Sequence, residues 1–106
     1  MNPYRGDVAL VLDGKAHKMR LTLGALAELE TALGADSLLA LVERFENGAF
    51  SSDDLIALLL AGLRGAGLLI DRETLLNSEI EGGVMVAAKA GALLLKRAFS
   101  VADEAV

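Results

Sequence analysis

The chain has 106 residues and no cysteine, which is enough for one hydrophobic core and excludes disulfides and thiolate metal sites. A formal net charge of -5, with acidic residues in both halves and no concentrated basic stripe, argues against nucleic acid as a partner. Hydrophobic residues make up 54% but aromatics only 4%, so the chain is aliphatic and helix-prone, with apolar surface to spare for an oligomer or a partner.

Val8, Leu10 and Leu12 alternate with Asp7, Ala9 and Val11, and Asp13-Gly14 then supplies the positive φ angles of a two-residue hairpin turn. That turn sets the register: Leu12 opposite Lys15, Leu10 opposite His17, Val8 opposite Met19 and Gly6 opposite Leu21. One face then carries Val8, Leu10, Leu12, Met19 and Leu21, and Asp7 meets Arg20 on the other. An isolated hairpin is marginal, so its apolar face must pack on helices.

Thr22 is an N-cap for the first helix, which carries Leu26, Leu29 and Leu33 on one side and ends at Gly34. The second starts near Asp36 or Ser37, carries Leu38, Leu41, Val42 and Phe45, and stops at Asn47-Gly48. Ser51 with Asp54 three residues on reads as a variant capping box, with Phe50 and Leu55 as a hydrophobic staple. The third helix is apolar nearly all round, which marks it as buried or bound. Leu55, Leu58, Leu59 and Leu63 form one side, Ile56 and Leu60 another, and Gly65 and Gly67 loosen its end. Asp71 caps a short fourth helix, and Gly82-Gly83 opens a last one presenting Val84, Ala87, Ala88, Gly91, Leu94, Leu95 and Phe99.

The pattern predicts an α+β, mostly α fold and a single domain over 1–106. An N-terminal antiparallel β-hairpin (about 7–21) packs on four or five helices (about 23–33, 37–46, 52–66, 72–78 and 84–99), and 101–106 form a frayed tail. The apolar run 55–70 is interrupted by Arg64 and glycines and falls short of the ~20 residues that cross a bilayer. The start MNPYRGD has no apolar signal core. No membrane association, no export and a cytoplasmic location are therefore expected.

No stretch carries a catalytic constellation, so no enzyme activity, no cofactor and no metal site are expected. His17 is the only histidine and has no Ser or Cys nucleophile near it in the pattern. Glu28 and Glu30 lie two apart on a helix and point in different directions. Gly62, Gly65 and Gly67 follow a helix without a Lys-Ser/Thr after them, which is no phosphate loop. Arg5-Gly6-Asp7 matches a cell-adhesion tripeptide but enters a strand in a chain without a signal core. Residues 52–66 imitate a recognition helix by position, yet offer Arg64 as their only cation. What remains is aliphatic surface. Ile56, Leu60 and Leu63 on the third helix, and Ala88, Gly91 and Ala92 on the last, are the candidate partner-binding residues, with Leu60 and Ile56 first because they lie off the main leucine stripe.

RGDVALVLDG followed by RLTLGALAELETALG, then SSDDLIALLLAGLRGAG and the Gly82-Gly83 helix start, resembles the small tail-cluster proteins of gene transfer agents and related prophages. The resemblance covers most of residues 2–99. That family is classed with phage tail assembly chaperones, although some descriptions call its members tail tube proteins. The resemblance implies a chaperone whose partners are the helix-rich tape-measure protein and the tail tube protein, with a homo-oligomer possible. The alternative is a structural tail component, a tube or connector subunit. Tube proteins usually close a large β-sandwich or barrel into a ring, and one hairpin followed by helices supplies few strands. A regulatory DNA-binding or small enzyme domain is disfavoured by the charge and the missing constellation.

Overall fold

The computed structural model describes residues 7–34 and 37–104, with side chains as far as residue 99. Strands β1 (Val8–Leu12) and β2 (Lys15–Met19) form an antiparallel hairpin, followed by α1 (Leu23–Leu33), α2 (Leu38–Asn47), α3 (Ser52–Gly65), α4 (Arg72–Leu76) and α5 (Gly83–Glu104). The expected α+β, mostly α architecture is present. Helix α4 stops two residues short of its predicted end, because Asn77 caps it, while α5 continues past residue 99 to Glu104.

Asp13 (φ 51°) and Gly14 (φ 81°) turn the hairpin with left-handed backbone, as a tight two-residue loop requires. The resulting register is the one the turn dictates: Val8 opposite Met19, Leu10 opposite His17 and Leu12 opposite Lys15. The Gly6 pairing, the Arg5-Gly6 part of the tripeptide and Asp36 lie outside the described residues. Val8, Leu10, Leu12 and Met19 are buried on the inner face. On the outer face Asp7 and Arg20 form a two-pronged pair, at 2.7 and 3.0 Å.

Beyond the predicted hairpin, residues 79–81 run along the free side of β1. Ile80 forms an antiparallel bridge with Leu12, the Asp13 amide donates to the Glu79 carbonyl (2.8 Å), and the Glu81 amide donates to the Val11 carbonyl (3.0 Å). The Asp13 carboxylate accepts from the Glu79 amide (2.9 Å), so the turn residue also anchors this third edge.

Each of the first four helices starts on a side chain that accepts an otherwise orphaned amide. Thr22 accepts from Ala25, Ser37 from Ala40, Ser51 from Asp54 and Asp71 from Thr74. The Asp54 carboxylate accepts in turn from the Ser51 amide, completing the capping box. Phe50, expected to staple onto Leu55, is stacked on Phe45 with ring centroids 4.4 Å apart.

Helix α3 is central: it packs on α1, β2, α5 and α4, which is why its sequence is apolar nearly all round. Gly62 and Gly65 do not loosen its end. They let the chain leaving β2 lie against it, and the Arg20 amide donates to the Gly62 carbonyl at 2.8 Å. Helix α5 packs on α2, β1 and α3 and joins the core at Ala87. Val84, predicted on its core face, is 69% exposed, because the first turn of α5 stands clear of that core.

Candidate partner-binding surface

The face of α5 that meets α2 is built from small residues. Gly91 is buried, and a Cβ there would lie 3.0 Å from Leu58 Cδ2, 3.4 Å from Phe45 Cε2 and 3.5 Å from Leu55 Cδ1, so the Phe45 ring rests almost on the α5 backbone. Ala88 and Ala92 flank it and are half-buried. Outward from that contact the two helices diverge, leaving a groove of about 600 Å³ lined by Val42, Phe45 and Glu46 of α2 and by Ala92, Leu93, Leu95, Lys96 and Phe99 of α5. Leu93 and Phe99 are 39% and 45% exposed, so apolar side chains that usually seek cover line it.

Of the six residues proposed from sequence, Ala92 alone lines this groove. Gly91 lies beneath α2, Leu63 is fully buried, and Ile56 and Leu60 are half-buried against the core from α3. The groove residues Val42, Leu93 and Phe99 escaped attention because apolar periodicity marks the faces of helices without saying which neighbour covers them. Their one local signal is the marked amphipathicity of 38–47.

Charge is committed elsewhere. Arg20 and Arg44 form two-pronged pairs with Asp7 and Asp54, the latter at 2.8 and 3.0 Å. Arg64 spans Glu28 (2.7 Å) and the Ile70 carbonyl (2.8 Å), Arg72 reaches Asp53 (3.1 Å), and Arg97 donates to the Asp7 carbonyl (2.7 Å). All five described arginines thus join one element to another, and Arg64, the sole cation of α3, points at protein. The hydrogen bonds from Arg20 hold the Asp7 carboxyl below its ordinary range, and those from Arg44, with help from Ser51, do the same for Asp54. Among the described residues no group of three His, Asp or Glu side chains could hold a metal ion, and no helix is long and apolar enough to cross a membrane. His17 sits half-buried at the rim of the sheet opposite Leu10.

A family model described as phage tail tube protein, GTA-gp10, matches residues 5–101. The chain belongs to this family. No curated protein and no solved structure matches it. The GTA-gp10 match spans the hairpin, all five helix starts and both walls of the groove, so the groove lies within the family's matched region. The protein is accordingly a phage-tail-related one, and the family's description is structural.

Proposed function

We propose that this GTA-gp10 family member is a cytoplasmic tail assembly chaperone, which holds helical segments of the tape-measure protein until tail tube subunits polymerise around them. The observation that carries the reading is the α2–α5 groove, an apolar channel between two helices whose floor is of small residues and whose lining includes exposed Leu93 and Phe99. A helix seated there would bury its apolar stripe at three- and four-residue spacing. The half-buried Ile56 and Leu60 on α3 provide a second aliphatic surface for the same client.

Co-expression with the tape-measure protein tests this. A soluble complex is expected, and Leu93→Asp should weaken it at least tenfold while leaving the thermal unfolding midpoint within a few degrees, since Leu93 is outside the core. Leu60→Asp should weaken it as well, at some cost in stability. Failure of the two proteins to associate would remove the reading. The second reading, a structural tail component, is favoured by the family's description as a tail tube protein. It would be separated by asking whether the chain is present in purified particles.

A further inference from the structure

We infer that α2 is a placeholder: it occupies the small-residue face of α5 in the free protein and gives way to a partner helix of the same pattern. This deepens the chaperone reading and rests on it. Helix α2 packs principally on α5, whereas α3 is held on four sides. It is connected by short segments on either side, and the one after it turns on Gly48 in the left-handed conformation (φ 71°). Two latches hold it: the Arg44–Asp54 pair, which ties it to the first turn of α3, and the Phe45–Phe50 stack.

What α2 covers is the surface the sequence marks as partner-binding, Gly91 and its neighbours Ala88 and Ala92, and the groove shows that the cover is incomplete. Swinging α2 away exposes Leu41 and Phe45 on one side and Gly91 and Leu95 on the other. An incoming helix recovers that burial when it carries apolar residues at the spacing of Leu38, Leu41, Val42 and Phe45, with an arginine just before the last of them to meet Asp54. The occupant's chemistry is therefore written in α2 itself. Elements with few tertiary contacts open below the global unfolding free energy, and such openings serve as binding steps.

Native-state hydrogen exchange on the full chain, combined with a fluorescent peptide of residues 37–50 added in trans, tests the inference. Amides of α2 should exchange through an opening at least tenfold more populated than that of α3, with weaker denaturant dependence. The peptide should bind, and bind about tenfold tighter to the Arg44→Ala chain, whose own α2 has lost its latch while the peptide restores the arginine. A peptide carrying Phe45→Ala should lose binding. Should Arg44→Ala fail to fold, Arg44→Lys, which keeps the charge but not the fork, replaces it. Exchange of α2 and α3 in one global step would overturn the inference, as would equal peptide affinity for wild type and variant. A concentration-dependent dimer that exchanges α2 between copies would also overturn it, by naming a second copy as the occupant. Peptide replacement of α2 without tape-measure association would instead remove only the chaperone reading.

Discussion

Gly65 shows how a single missing side chain fixes the architecture. It lies in the last turn of α3, where alanine would favour the helix by up to ~1 kcal/mol. A Cβ there would nevertheless fall inside the van der Waals radius of the Arg20 carbonyl oxygen, a backbone atom that cannot step aside without moving the end of β2. The strain outweighs the propensity, so Gly65→Ala should destabilise the protein by about 2–3 kcal/mol in urea unfolding. Gly24→Ala is the matched control. Its added Cβ meets nothing closer than Thr22 Oγ1 at 3.8 Å, on an exposed helix start, and a gain of about 0.5 kcal/mol is expected. Equal effects from the two substitutions would refute the packing argument.

Among the elements, the junction of α2 and α3 depends on one carboxylate. Asp54 completes the capping box of α3 and grips Arg44 of α2, so Asp54→Asn should cost about 1–2 kcal/mol through the weakened latch and cap. The same geometry predicts a pH dependence. Asp7 and Asp54 have folded pKa values lowered by their arginines, below an unfolded value of about 3.9. Their contribution to stability is complete above that value and is lost as pH falls through the folded pKa. Unfolding midpoints should therefore hold steady down to about pH 5 and decline below pH 4, with a shallower decline in the Asp7→Asn, Asp54→Asn double variant. Elements of this kind were legible in the sequence because their causes are local: Thr22, Ser37, Ser51 and Asp71 cap the helices that follow them, and Asp13-Gly14 sets a register that carries Asp7 to Arg20. The third edge at 79–81 was not legible, since Leu12 meets Ile80 across most of the chain and no alternating run announces it. The groove is hidden for the same reason. Ala92 was found as part of a small-residue stripe, but Leu93 and Phe99 become a surface only where α2 diverges from α5.

For the whole molecule, the distribution of hydrogen-bonding edges bears on whether the protein stays in the finished particle. A subunit that joins a ring through its sheet must offer an open strand edge to its neighbour. Here β1 is closed along most of its length: Arg97 takes the Asp7 carbonyl, Glu81 takes the Val11 carbonyl, and the Asp13 amide is spent on Glu79. The edge of β2 is met at its end by the Gly62 carbonyl and carries Lys15 and Lys18, the kind of charge that discourages strand addition. The exposed apolar surface lies instead on helices, at Leu93 and Phe99 in the groove, where a client can be taken up and released. The net charge of -5 suits a protein that must keep such a client soluble. Quantitative mass spectrometry of purified particles should then find this chain below one copy per particle, while lysates taken during assembly contain it bound to the tape-measure protein. Recovery in many copies per particle, at a fixed ratio to other tail proteins, would reverse the assignment in favour of a structural component and would require its rings to be joined through helices rather than through β1.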